Sequence, residues 1–276
     1  VIGRIFAFRV LQAVHPIEAD KPALYDCLET LTRLSLTLVE SEAPDLAYVF
    51  KHALTQEVAY NLMLFSQRRQ LHQAVAEWIE KNYEKNLEAY YTILAHHWSQ
   101  AAETTEALRN SHALNKAVEY LDKAGEQAVQ NYANKEVIQL FSQALELDQK
   151  LPGPEVGRLA RERQIRRARW HSRIGLAYYG IGSLPDCEKQ VREALQLLGY
   201  PIPTSKAWFA LGLLPQIVSQ VFHRYFPTRY IGSLKGQERE VAIEVSRLYE
   251  LLGRSYFYSQ DTLPIVYCVL RFVNIA

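Results

Sequence analysis

The chain has 276 residues, 49% hydrophobic and 22% charged, a balance typical of a folded protein and not of a disordered one. Its formal net charge of +1 excludes a global electrostatic attraction to nucleic acid or to an acidic membrane. Three widely separated cysteines argue against a disulfide framework and favour a reducing, cytoplasmic compartment. The length predicts two units or a repeat array. The absent initiator methionine and the apolar helical pattern that runs to Ala276 predict a fragment of a larger protein.

Residues 1–85 combine helical and strand-like patterns. Apolar residues over Leu24–Leu31 share one face of a helix. Two alternating segments, Leu36–Leu38 and Tyr48–His52, are typical of half-buried strands, and the acidic segment between them indicates a hairpin tip. Helical spacing returns after the second segment. We therefore predict a small winged-helix-like unit with one β-hairpin over residues 1–85.

Residues 86–276 show an internal repeat of helix pairs. Each of three glycines is followed by an apolar residue sixteen positions later and by a small or apolar residue nineteen positions later: Gly125 with Phe141 and Ala144, Gly175 with Val191 and Ala194, Gly253 with Val269 and Phe272. A small residue in a first helix, followed by small and apolar residues in a second, is what tight packing of a helix pair requires, and the tetratricopeptide repeat has this pattern with a period of about 34 residues. We therefore expect Gly125 and Gly175 to lie where the two helices of a pair come closest. Gly125 and Gly175 are 50 residues apart, which is more than this period. We therefore predict a degenerate tetratricopeptide-like repeat with an insertion at 201–236. The predicted fold is thus all-α, a helical-hairpin solenoid that presents an extended surface to a protein partner.

The insertion contains the longest apolar stretch of the chain, Ala207–Leu214. This stretch is well short of the roughly 18 apolar residues that indicate a membrane-spanning helix, so we predict no membrane span. We expect a buried or interface helix, and a helix on a membrane surface is the alternative.

Four motifs carry a resemblance to a known arrangement in signalling proteins. They read VIGR at residues 1–4, YVFKHAL at 48–54, LAHHW at 94–98 and KAVEYLDKAG at 116–125. Together they resemble the region that follows the NTPase core in STAND-type proteins. In these large ATPases a class III adenylate or guanylate cyclase domain, or a protein kinase domain, precedes the NTPase and tetratricopeptide repeats. The resemblance is most specific from residue 48 to residue 144.

The resemblance implies a regulatory role without catalysis in this chain. The parent protein would bind ATP or ADP with Mg²⁺, but the sequence has no G-x-x-x-x-G-K-[ST] loop. We therefore predict no cofactor, no metal and no catalytic residue within these residues. The expected partners are the NTPase domain of the same larger chain and a protein on the repeat surface, with output passing to a nucleotide cyclase. The alternative is the sensor region of a STAND-type transcriptional regulator or protein kinase.

His52 is the candidate nucleotide-sensing residue. In STAND architecture a winged-helix histidine can contact the phosphate of the bound nucleotide and hold the closed state, and the resemblance makes His52 the candidate for that role. The alternative is a half-buried histidine that only serves packing. Nearby, Arg68, Arg69 and His72 are typical of an exposed helix start, which could also meet an acidic face of the NTPase core.

Two further groups of basic residues invite a functional interpretation. Seven arginines lie between Arg158 and Arg173 with a single acid among them. Such a run is typical of an exposed helix face, but an acidic protein partner would relieve its repulsion, with nucleic acid as the alternative. The candidate partner-binding residues are Arg158, Arg161, Arg166 and Arg169. The pair His96-His97 is interpreted as packing, because adjacent helical side chains point about 100° apart and chelate poorly together.

Overall fold

The structure is a computed structural model that describes residues 1–103, 111–153, 156–225 and 235–275. Three strands are present in these ranges: β1 (Ile5–Ala7), β2 (Thr37–Ser41) and β3 (Ala47–Phe50). The α-helices in them are α1 (Phe8–Val14), α2 (Leu24–Arg33), α3 (Ala53–Leu62), α4 (Phe65–Asn82), α5 (Tyr91–Ala102), α6 (Ser111–Gln130), α7 (Asn134–Lys150), α8 (Arg158–Gly180), α9 (Leu184–Leu198), α10 (Lys206–Tyr225), α11 (Gly236–Tyr258) and α12 (Thr262–Ile275). Short 3-10 segments precede α2 and α5. A mostly helical chain with one small antiparallel sheet confirms the predicted fold class.

Packing divides the chain into two compact units. The first unit comprises Val1–Ala124 and Leu147–Pro152, and the second comprises Gly125–Glu146 and Gly153–Ala276. Helices α6 and α7 therefore each contribute residues to both units. The boundary at residue 85, which was drawn from the change in sequence pattern, stays a prediction.

The first unit contains the predicted hairpin and one strand that the sequence did not indicate. Strands β2 and β3 pair antiparallel, and β1 pairs antiparallel with the other edge of β3, giving the order β1-β3-β2. A core of Phe6, Leu28 and Tyr48 joins the sheet to α2, and the rings of Phe6 and Tyr48 stack with their centroids 6.0 Å apart. Strand β3 ends at Phe50, so His52 lies outside the sheet, directly before α3.

The second unit confirms the predicted glycine contacts in two helix pairs. A Cβ atom on Gly125 would lie 2.6 Å from the ring of Phe141, and one on Gly175 would lie 3.1 Å from the Cγ2 atom of Val191. Phe141 and Val191 are fully buried. Because a side chain at either glycine would meet its neighbour, the sixteen-residue register is correct for these pairs.

The third pair departs from this register by one residue. A Cβ atom on Gly253 would lie at an ordinary contact distance of 3.5 Å from the Cβ atom of Cys268, whereas Val269, the residue sixteen positions after Gly253, is 52% exposed. The reason lies in α12, which packs against both α11 and α10. Its Tyr267 contacts Phe209 of α10 edge to face, with ring centroids 5.2 Å apart, and a helix that serves two neighbours presents a different face to each.

Most of the described part of the predicted insertion at 201–236 forms α10, a helix of the second unit; residues 226–234 of that prediction lie outside the described residues. Gly212 allows a close approach to α12, because a Cβ atom there would lie 2.9 Å from the ring of Tyr267. Asn274 of α12 donates hydrogen bonds to the backbone and side-chain oxygens of Gln216 and accepts one from Gln220. None of the helices in the described ranges combines the length and the apolar composition that crossing a membrane requires.

Candidate functional site

A cluster of three histidines lies between α4 and α5 of the first unit. His72 of α4 meets the adjacent pair His96 and His97 of α5, and one ring nitrogen of each lies within 4.8 Å of the others. The ring centroids are 5.1 to 5.6 Å apart. His72 and His97 are buried, while His96 is exposed. The cluster is therefore closed on one side and open to solvent on the other.

A chain of hydrogen bonds fixes how the buried histidines face each other. The Tyr60 hydroxyl lies 3.2 Å from Nε2 of His72 and donates to Oε1 of Gln100 at 3.4 Å. Because that hydroxyl proton is directed at Gln100, Nε2 of His72 is the donor to Tyr60. Nδ1 of His72 is then an acceptor, and it lies 2.9 Å from Nδ1 of His97. The chain thus directs an unprotonated nitrogen into the centre of the cluster.

The surroundings keep both buried imidazoles neutral. Burial, followed by the repulsion that protonated His97 and His96 would exert, lowers the pKa of His72 to about 3. The same causes, burial first and then His96, lower the pKa of His97 to about 4. A neutral imidazole can serve as a hydrogen-bond partner or as a metal ligand. The two buried imidazoles of this cluster can therefore form hydrogen bonds or bind a metal ion in their neutral form.

The sequence pattern drew attention to the adjacent histidines His96 and His97, but it did not indicate that His72 lies beside them. His72 was expected at an exposed helix start, but it is 2% exposed, so that expectation was wrong for this residue. The signal was present in the spacing, because His72 falls on the same helical face as Val75, Ala76 and Ile79, all of which are buried. The apolar face of α4 thus carries a histidine into the helix interface.

Arg68 stabilises the turn between α3 and α4. Its Nε and Nη2 atoms donate to the carbonyl oxygens of Met63 and Asn61, at 3.1 and 2.9 Å. The guanidinium group also lies 4.6 Å from the centroid of the Tyr60 ring. These bonds satisfy carbonyl groups that the end of a helix leaves without a partner. Arg68 therefore positions the tyrosine that orients His72.

His52 lies at the position that precedes the first turn of α3. It is exposed, so the half-buried packing role considered as the alternative was wrong as to burial. Its side chain makes no capping hydrogen bond with α3. The proposed contact with a nucleotide on another domain stays a prediction.

The arginine run lies on α8 in the second unit, where several of its members have partners. Arg158 pairs with Glu162 at 2.8 Å, and Arg161 donates to the carbonyl oxygens of Leu197 and Leu198. Further contacts join Arg166 to the face of Trp170, and Arg169 and Arg173 to Glu126. Part of the repulsion expected along α8 is thus relieved within the unit, and the proposed role in partner binding stays a prediction.

The outward side of α10 is apolar over its whole length. Eight large side chains on it are 47–73% exposed: Trp208, Leu211, Leu214, Ile217, Val218, Val221, Phe222 and Tyr225. Residues 206–225 contain no acid, and the helix turns its glutamines inward to Asn274. A globular protein normally buries such a face, and contiguous exposed apolar patches mark interaction sites.

Comparison with known proteins adds no identity. The chain matches no known protein family, and no curated protein matches it.

Proposed function

We propose that this chain is a non-catalytic regulatory and protein-interaction region of a larger STAND-type NTPase. It couples the nucleotide state of the NTPase to a fused effector, with an adenylate or guanylate cyclase as the first choice. The sensor region of a STAND-type transcriptional regulator or protein kinase is the second. Support comes from the motifs at residues 48–54, 94–98 and 116–125. ATP or ADP with Mg²⁺, and a cytoplasmic location, belong to the same proposal for the parent.

The single observation that carries the protein-interaction part is the outward apolar side of α10. Exposed Leu, Trp, Phe and Tyr side chains on one helix offer the kind of surface that another protein buries. Only Lys206, His223 and Arg224 break the apolar and neutral sequence of α10. This low charge supports a protein partner over nucleic acid, whose binding depends on phosphate contacts from basic residues.

Charges placed on this side of α10 are expected to uncouple the parent protein. Leu211 and Leu214 are 62% and 64% exposed, so Leu211→Glu with Leu214→Glu should leave the fold intact. Burying an unpaired carboxylate in an apolar interface costs several kcal/mol, so partner affinity should fall at least about tenfold. The measurement is effector output of the full-length parent with ATP and with ADP.

The matched control replaces two exposed helical glutamines, Gln149→Glu with Gln237→Glu, which adds the same charge elsewhere. Its output should equal that of the wild type. Equal output from the leucine variant as well, with normal folding, would remove the support that α10 gives to the proposal.

The His52 hypothesis leads to a separate prediction in the full-length parent. A charge-assisted hydrogen bond to phosphate contributes about 1.5–3 kcal/mol, so His52→Ala should shift the switch toward the open form by roughly tenfold to hundredfold. ADP should leave faster and basal output should rise. His112→Ala, at another exposed histidine, is the control. ADP release at the wild-type rate in His52→Ala would leave His52 without a role in nucleotide sensing.

A further inference from the structure

The three-histidine cluster between α4 and α5 has the composition of a transition-metal site. It gathers one nitrogen each from His72, His96 and His97 within 4.8 Å. Imidazole is a preferred ligand of Zn²⁺, Cu²⁺ and Ni²⁺, whereas Mg²⁺ and Ca²⁺ prefer oxygen. Three imidazole nitrogens therefore favour a transition-metal ion over Mg²⁺ or Ca²⁺.

The distances are close to those that a bound ion requires. With Zn–N bonds of about 2.0–2.1 Å, the nitrogens of a tetrahedral site lie roughly 3.3 Å apart. The Nδ1 atoms of His72 and His97 are 2.9 Å apart, so they need to separate by only a few tenths of an ångström. The remaining adjustment falls on His96, which is exposed. The packing interpretation of the adjacent pair considered His96 and His97 alone, whose side chains diverge along one helix. His72 on the facing helix changes this, because one nitrogen of each of the three rings lies within 4.8 Å of the others.

The partners of His72 suit a metal ligand. A histidine ligand usually donates its second ring N–H to an oxygen, which fixes the ring and leaves the first nitrogen free for the ion. Tyr60 provides that oxygen to His72 at 3.2 Å, and its own proton is directed at Gln100. The orientation of His72 is thus already set, with Nδ1 directed at the cluster.

We propose that His72, His96 and His97 bind one Zn²⁺ ion, with a fourth position open to solvent beside His96. The ion replaces the hydrogen bond between His72 and His97 by two metal–nitrogen bonds, and it joins α4 to α5. His97 changes tautomer in this step: its Nδ1 proton passes to solvent and Nε2 takes one up, so both imidazoles bind the ion in the neutral form with no net release of protons. Neither the motifs nor the NTPase resemblance implies this site, so it stands independently of the proposed regulatory role.

Titration of the chelator-treated chain with ZnCl₂ tests the site. Isothermal calorimetry should show one equivalent of Zn²⁺ bound, and the same sample should melt at a higher temperature with zinc than with EDTA. Titration with Co²⁺ should give the visible absorption of a four-coordinate ion with nitrogen ligands. Mg²⁺ at the same concentrations should give neither heat nor a change in melting temperature.

The decisive variant is His96→Asn, because His96 is exposed and its loss should not unfold the unit. Zn²⁺ affinity should fall at least tenfold, and the zinc-dependent rise in melting temperature should disappear while the circular dichroism spectrum is unchanged. His112→Asn, at an exposed histidine outside the cluster, should bind as the wild type does. The proposal is overturned if zinc does not saturate at one equivalent, or if His96→Asn binds it with wild-type affinity.

Discussion

Phe141→Ala is expected to lower the free energy of unfolding of the second unit by about 3–5 kcal/mol. Phe141 is fully buried, and its ring occupies the space that the missing side chain of Gly125 leaves open. Removing the ring opens a cavity that neighbouring helices can collapse only in part. Urea unfolding followed by circular dichroism measures the loss.

The partner substitution, Gly125→Leu, should destabilise for the opposite reason. Its side chain would overlap the Phe141 ring, which lies 2.6 Å from the position of a Cβ atom, and overpacking costs about 1–3 kcal/mol. In the double variant the leucine can enter the space of the lost ring, so the combined loss should be smaller than the sum of the two.

Gly253→Ala provides the control for the glycine effect. Gly253 is also helical, but its nearest neighbour, Cys268, is 3.5 Å from the position of a Cβ atom. Alanine should fit there, and the better helix propensity of alanine contributes up to about 1 kcal/mol. Gly125→Ala and Gly253→Ala should therefore differ in stability, and equal effects would contradict the observed packing. Additive losses in the double variant Gly125→Leu with Phe141→Ala would contradict it as well.

Acidification is expected to destabilise the metal-free first unit through its buried histidines. In the unfolded chain an imidazole takes up a proton near pH 6.5. In the folded chain the pKa of His72 is about 3 and that of His97 about 4, chiefly because of burial. Between these limits the unfolded state binds more protons, so stability falls as pH falls. At pH values well above about 6.5, where the imidazoles of the unfolded chain are also neutral, these groups contribute no pH dependence.

The size of this effect follows from the proton uptake. Each imidazole contributes at most about 1.4 kcal/mol per pH unit, and less near pH 6.5, where the unfolded imidazoles are only half protonated. The pair therefore loses on the order of 4 kcal/mol between pH 6.5 and pH 4.5. Urea unfolding in EDTA measures the slope, and His97→Gln should have a smaller slope than the wild type. Proton NMR of the ring C2–H atoms provides a direct check. Midpoints near pH 6.5 for His72 and His97 would contradict the burial argument.

Local patterns predicted more of the fold than of the candidate site. The hairpin and two glycine contacts could be derived from alternation and spacing, because both depend on neighbours along the chain. Strand β1 could not be derived in this way, because three residues are too few to show an alternating pattern. These residues form a strand through their pairing with β3. The site depends on His72 and His97, which are 25 positions apart. Only the packing of α4 against α5 brings them together.

In α10, the residues that anchor the helix and the residues that face outward lie on different sides. Gln216 and Gln220 bind Asn274 on the inner side, where Phe209 also packs against Tyr267, while the outward side carries the exposed apolar side chains. Exposed substitutions away from such anchoring contacts usually change stability by less than about 0.5 kcal/mol. Selection can therefore alter the outward residues one at a time, and so change what this surface recognises, while the inner contacts keep the helix in place.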